Sequence, residues 1–242
     1  GKVDVLINNA GIIQAGPVEC MTLDDFERAM QTHFWAPWRM VHACLPIMPG
    51  GGQGRIVNIA SVGGEISIPH LLPYCASKAA LVGFSDGLQA ELAPLGIQVT
   101  TVCPGLMRTG SPRNAEFKGH HRAEYAWFSI SGSLPGASMN AGSAARQIVE
   151  ACRAGKPYLR LTLPAKLAVP LRSAFPSLAS RVLRLINTWL PAPVQWSLRS
   201  QRGYESHSRW SPSLLTRLTE RAALRNNETH WEPPVERQLA SG

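Results

Sequence analysis

The sequence predicts one α/β domain built on a parallel sheet. Short apolar runs closed by turn residues recur at 3–8, 55–61 and 97–103, as buried parallel strands do. Between them lie stretches of helical period, from about Leu23 to Met48 and from Tyr74 to about Ala93. The chain has 242 residues, 45% hydrophobic and 17% charged, enough for one sizeable core and unlike a disordered chain. Strand, helix, strand, helix, strand in that order implies crossover connections and parallel pairing.

Each element has a local reason. Val3 to Asn8 is the first strand. Thr22, followed by Asp24 and Asp25, starts a helix with acids in its first turn. Apolar Phe26, Met30, Phe34, Trp38, Val41 and Leu45 recur at three- and four-residue steps, and Pro37 is expected to kink the helix. Gly50 to Gly54 makes a connecting loop before the second strand. The helix from Tyr74 closes near Gly96, and Pro104-Gly105 ends the third strand. Residues 106–137 show no clear period and read as a functional loop unless they hide short helices. A helix over Ala141–Ala154 and a last strand over Pro157–Leu163 follow.

After Pro164 the chain becomes a series of short basic amphipathic pieces, the clearest from Ser177 to Leu190. Residues 201–242 read as a polar, partly disordered tail. The formal charge of +8 is concentrated here: residues 151–242 carry 14 basic and 5 acidic side chains, against 10 and 11 before them. A solvated basic face is preferred over a nucleic-acid surface. Packing of 177–190 on the domain or a second subunit is preferred over a membrane interface, which stays open. No apolar run is long enough to span a bilayer, and no leader segment is visible before Val3, although the first residue is Gly rather than Met. Five scattered cysteines without a C-x-x-C pair argue against a disulfide framework or a zinc site and for a reducing compartment, so a cytoplasmic location is expected, with membrane association left open. Glu116, His120, His121 and Glu124 are taken as surface residues rather than metal ligands.

Three clusters fall just after strands: Asn8-Asn9-Ala10-Gly11, Ser61, and Pro104-Gly105-Leu106-Met107-Arg108-Thr109. Ligands of open parallel sheets bind at that edge. Tyr74 and Lys78 are spaced to share one helix face. A tyrosine is a poor base at neutral pH, and a nearby lysine ammonium is expected to lower its pKa. Tyr74 could then exchange a proton with an alcohol or carbonyl oxygen that Ser61 orients. No side chain moves hydride, so a nicotinamide cofactor is implied.

Asn8-Asn9-Ala10-Gly11, Ser61, Tyr74-Cys75-Ala76-Ser77-Lys78 and Pro104-Gly105, in this order, resemble the short-chain dehydrogenase/reductase family through about residue 110. The resemblance implies a Rossmann-type, doubly wound fold and NAD- or NADP-dependent interconversion of an alcohol and a carbonyl. It implies Tyr74 as general acid/base, with Lys78 tuning it and binding the nicotinamide ribose, and Ser61 positioning the substrate. It implies Asn9, Ala10, Gly11, Pro104, Gly105, Met107 and Thr109 around the cofactor, and a homodimer or homotetramer. Phe117, Tyr125, Trp127 and Phe128 resemble the family's variable substrate lid and suggest a bulky apolar small-molecule substrate, unless they anchor the loop.

Two departures stand out. His33 occupies a position where the family usually has asparagine, and is read either as a substitute proton relay or as a structural histidine. The glycine-rich turn T-G-x-x-x-G-x-G is absent from the 242 residues. Compared with the family, the chain is expected to start at the fourth strand, truncated before it. Residues 1–163 would form the catalytic half, 164–200 a basic helical extension and 201–242 a tail. Val3 to Ile7 would then be a bare sheet edge, and NAD(P) would bind weakly or not at all. The alternative function is a non-catalytic or membrane-associated remnant.

Overall fold

The structure, a computed structural model, describes residues 1–49, 53–193 and 197–229. Gly50 to Gly52 of the expected glycine-rich loop and 230–242 of the expected tail lie outside the described residues. Strands β1 (Val5–Asn8), β2 (Gln14–Ala15) and β3 (Arg55–Ile59) are followed by β4 (Gln98–Cys103), β5 (Met107–Arg108) and β6 (Glu116–Phe117). β7 (Met139–Asn140), β8 (Tyr158–Arg160) and β9 (Gln201–Arg202) complete the strands. Among the described residues β1, β3, β4 and β8 form the main sheet in that order, every pair parallel. This is the predicted α/β class with a parallel sheet.

The first helical stretch is interrupted. Asp25 accepts from the Thr22 amide at 2.7 Å, closing the N-terminus of α1 (Leu23–Met30). A π-helical turn over Gln31–Trp35 then leads into α2 (Ala36–Cys44). Pro37 has no amide to give the preceding turn, so the ladder widens there. The expected kink is thus a bulge, and it carries His33 inward to complete burial.

Helix α3 (Leu72–Leu92) and α2 cover one face of the sheet, packing Leu6, Ile56, Val99, Val41 and Leu88 together. Helix α6 (Ala141–Arg153) covers the other face through Val57, Val102, Ala144 and Cys152. Asn140 caps α6 by accepting the Gly142 amide at 2.9 Å. Helices on both faces make the sheet doubly wound. Val5 and Ile7, which share a face with Val57, stay 46% and 50% exposed, because β1 has only β3 as a sheet neighbour among the described residues.

Residues 106–137 hide structure: α4 (Ser111–Asn114) and α5 (His121–Gly132) flank β6. Phe117 and Tyr125 are fully buried against Ala15, Leu71 and Cys75, so these two aromatics anchor the loop and line no lid. Two of the four residues expected at the surface are inside. Glu116 is clamped by Arg28 at 2.6 Å, and Glu124 is fully buried, 2.7 Å from His70 Nδ1. A buried carboxylate needs such partners, and the single-sequence pattern does not display them.

Helices α7 (Leu163–Ala174) and α8 (Pro176–Asn187) lie in the basic stretch. Residues 201–229, read from the sequence as a polar tail, pair β9 with β6 and place α9 (Arg217–Arg225) on the domain through buried Thr219, Ala222 and Ala223. Among the described residues no helix is long and apolar enough to cross a membrane.

Candidate active site

Ser61 follows β3 at the carboxyl edge of the sheet and is buried. Its Oγ accepts the Gly63 amide at 3.0 Å, capping a 3-10 turn over Val62–Gly64. That turn rests on α3. A Cβ on Gly64 would lie 2.7 Å from the Lys78 carbonyl carbon and oxygen, so the contact requires glycine. Pro73 sits in the first turn of α3, where its missing amide costs nothing. Tyr74 and Lys78 then stand one turn apart.

The structure brings Ser61, Tyr74, Lys78 and His33 into one cluster. The Ser61 hydroxyl lies near enough to the Tyr74 phenol to work against the rise of its pKa. Lys78 Nζ lies 5.8 Å from the centre of the Tyr74 ring, and the His33 ring meets that ring edge-on at 5.4 Å. Gly11 closes the group from the β1 turn: a Cβ there would be 3.2 Å from His33 Nε2 and 3.9 Å from Lys78 Nζ.

Two expectations about charge are corrected. Lys78 was expected to pull the Tyr74 pKa down. Burial instead pushes the phenol up to about 12, with the Ser61 hydroxyl working against it. The Lys78 ammonium is turned to the Ile59 carbonyl at 2.7 Å, and burial lowers its pKa to about 8. Tyr74 is therefore held protonated.

His33 is the second correction. Its Nε2 accepts the Ile12 amide at 3.1 Å, and its Nδ1 is 2.7 Å from Ser77 Oγ. Ser77 in turn donates to the Tyr74 carbonyl at 2.9 Å. A ring whose Nε2 accepts carries its proton on Nδ1 and donates it to Ser77. Burial, aided by the Lys78 charge, drops the His33 pKa to about 3. Both ring nitrogens are spent inside the protein. The relay reading fails for that reason, because no ring nitrogen remains to hold a water.

The remaining candidates lie around this cluster. Asn9 and Ala10 are exposed beyond the end of β1. The Pro104 carbonyl accepts the Val62 amide at 2.9 Å, which ties the β4 turn to Ser61. Gly105 lies against Thr162 and Ala165. Thr109 donates to Ser111 at 2.8 Å. Met107 is half-buried, pairs with Met139 and packs against the cluster under α6. A cleft of about 610 Å³ opens beside Gly11, with Ser111, Glu116, Arg202 and Glu228 among its walls. Its lining includes none of Ser61, Tyr74 or Lys78, so it adjoins the cluster rather than covering it.

Sequence reasoning missed what supports the cluster. Asn8 donates to Asn58 at 2.8 Å, Asn58 to Ser85 at 3.0 Å, and Thr101 to Ser85 at 2.8 Å. This buried polar chain ties β1, β3 and β4 to α3. Polar residues at alternating positions of apolar strands were its signal. Ser77, Arg202 and Glu228 were also missed, the last two because the tail looked unstructured.

These residues fit one end of a nicotinamide dinucleotide. A buried lysine cation faces an exposed turn whose Gly11 leaves room for close approach, beside a tyrosine–serine pair. They offer no glycine-rich turn behind a strand as a seat for the pyrophosphate.

Known proteins resemble this chain in sequence and in fold. The family model described as short chain dehydrogenase matches residues 1–118. The zebrafish (Danio rerio) protein named dehydrogenase/reductase SDR family member 7B is 33% identical over 184 residues, 76% of this chain and 58% of the relative. A short-chain dehydrogenase structure from Streptomyces avermitilis superposes with a TM-score of 0.61 at 31% identity, over 78% of this chain and 70% of the other. A gluconate 5-dehydrogenase from Burkholderia cenocepacia, in complex with NADP and tartrate, superposes with a TM-score of 0.56 at 26% identity, over 69% and 66%. The chain spans between 36% and 58% of the length of the first curated relatives it matches. The motif order, the doubly wound sheet and these matches lead to one conclusion: the chain belongs to the short-chain dehydrogenase/reductase family.

Proposed function

We propose that this chain carries the substrate-oxygen and proton-handling centre of an NAD- or NADP-dependent oxidoreductase that interconverts an alcohol and a carbonyl. The observation that carries the reading is the convergence of Ser61, Tyr74 and Lys78 at one sheet edge, with Tyr74 protonated. The bound nicotinamide would supply or accept the hydride. Asn9, Ala10, Gly11, Lys78, Pro104, Gly105 and Thr109 would hold its nicotinamide half. Ser61 orients the carbonyl oxygen by hydrogen bonding. Tyr74, which its raised pKa keeps protonated at neutral pH, carries the phenolic proton that passes to that oxygen. Lys78 supplies positive charge beside the phenolate left behind. His33 holds the Ile12 turn and the start of α3 in register through Ser77.

A second reading has its own observation. With no glycine-rich turn in the 242 residues and the Val5–Ile7 face uncovered, the chain by itself would be a non-catalytic relative that binds NAD(P) weakly. One experiment separates the two. NADH and NADPH binding is measured by titration, and turnover is followed on a panel of ketones and aldehydes, for the wild type and Tyr74→Phe. The oxidoreductase reading expects kcat to fall by roughly 10²- to 10⁴-fold in Tyr74→Phe, with cofactor binding unchanged. Equal turnover in both proteins would remove Tyr74 from the chemistry. No binding of either cofactor would establish the second reading.

A further inference from the structure

The two helices of the basic stretch repeat one surface pattern. In α7 an apolar stripe runs through Leu163, Leu167 and Leu171, with Lys166 beside it three residues from its start. In α8 the stripe runs through Leu178, Val182 and Ile186, with Arg181 at the same offset. Each stripe recurs at every fourth residue and so lies along one helix face. These faces are outside the core. Leu163 and Leu167 are 64% exposed, Leu178 51% and Val182 47%. Helix α7 is moored to the domain by its opposite side, through buried Ala165 and Val169, whereas α8 has no buried residue. Trp189, just past α8 and in phase with its stripe, is 78% exposed.

The charge of this region narrows the choice of partner. From residue 151 to residue 202 the chain has nine lysines and arginines and no acidic residue. A second copy docked face to face would set these cations against one another. An anionic bilayer surface suits all the features together. The headgroups attract the cations, whose long stems let the charge stay at headgroup level, while leucines and an exposed tryptophan enter the boundary layer.

We propose that α7 and α8 form a docking surface for an anionic phospholipid bilayer, lying in its interface without crossing it. The root of α7 lies against Gly105, so docking sets the sheet edge that carries the candidate active site beside the membrane. The proposal stands independently of the reaction proposed above.

The test is flotation of the full chain with phosphatidylcholine vesicles, with and without phosphatidylglycerol, at low and high salt. Binding is expected to vesicles containing phosphatidylglycerol and to weaken with salt. The exposed pair Val182→Asp/Leu185→Asp is expected to reduce flotation at least about tenfold with an unchanged circular dichroism spectrum. Arg181→Gln/Arg184→Gln is expected to lose the preference for phosphatidylglycerol. A wild type that stays at the bottom with both vesicle types would overturn the proposal. So would equal flotation of the aspartate variant. Sedimentation velocity supplies a further arm: a concentration-dependent dimer abolished by Val182→Asp/Leu185→Asp would show that a second copy covers this face instead.

Discussion

Helix α3 carries a weakly patterned sequence and is buried along its length, whereas α8 carries a clear apolar stripe and buries nothing. Three polar residues of α3 are inside: Ser77, Lys78 and Ser85 are all under 5% exposed. The apolar residues of α8 are outside. A stripe is ordinarily evidence of packing, and a buried polar side chain ordinarily a cost. Both rules are reversed here, and each reversal marks a place where the molecule meets something else. Polar groups buried on α3 are paid for by hydrogen bonds that position Tyr74 and Lys78. Apolar groups exposed on α8 wait for a surface.

Perturbing the two helices should therefore have very different consequences. The largest effect is expected from Asn58→Leu, which strands the buried Asn8 amide and leaves the Ser85 hydroxyl with Thr101 alone beneath α3. A stranded buried group costs about 1–3 kcal/mol and a lost hydrogen bond about 1 kcal/mol, so chemical denaturation should report a loss of about 3 kcal/mol. A loss below 1 kcal/mol would show that the polar chain is not what seats α3. Next is Gly64→Ala, whose Cβ would press on the Lys78 backbone. Overpacking of this kind costs about 1–3 kcal/mol. Because the displaced residue is Lys78, turnover should fall together with stability.

His33 offers a pH test of the same packing. Its folded pKa of about 3 lies below the ordinary imidazole value. Between the two values the unfolded chain binds a proton that the folded chain refuses, so stability is full above about pH 6.5 and is lost as pH falls towards 3. Urea denaturation between pH 7 and pH 5 should show a slope from this residue of up to about 1.4 kcal/mol per pH unit. The slope should be shallower by that amount in His33→Asn. Identical slopes would mean that His33 is solvated. The smallest effect is expected on α8, where Val182→Asp/Leu185→Asp should change unfolding free energy by no more than about 0.5 kcal/mol. A larger loss would mean that the stripe already packs on the domain and that the contrast with α3 is mistaken.

Much of the fold was legible residue by residue. Arg55–Ser61 and Ile97–Cys103 announce parallel strands because both their faces are covered, so the apolar run is nearly continuous. Val3–Asn8 carries the same kind of run, although Val5 and Ile7 leave one face exposed. Thr22 with Asp25 announces a helix start because backbone amides there lack partners. Pro37 announced a break, yet not its form. The π-helical turn is a choice among ways of losing one hydrogen bond, made by what His33 can reach once buried. Residues 106–137 and 201–229 were opaque for a related reason. Their elements are short, and they are held by distant partners such as Arg28 with Glu116, Tyr125 with Glu220 and β9 with β6.

The sequence by itself determined the parallel α/β class and the order of motifs. It also placed Ser61, Tyr74 and Lys78 at the carboxyl edge, because strand ends and helix spacing are local properties of the chain. Only the tertiary structure decided how those groups are charged. Proximity in sequence makes Lys78 a neighbour of Tyr74, but protonation depends on desolvation and on which carbonyl the ammonium meets. Burial holds the phenol protonated, and Ile59 takes the lysine. The same holds for His33, whose residue type suggests titration near neutrality. The Ile12 amide, Ser77 and burial keep it neutral, because pKa follows the three-dimensional surroundings of a group rather than its place in the chain.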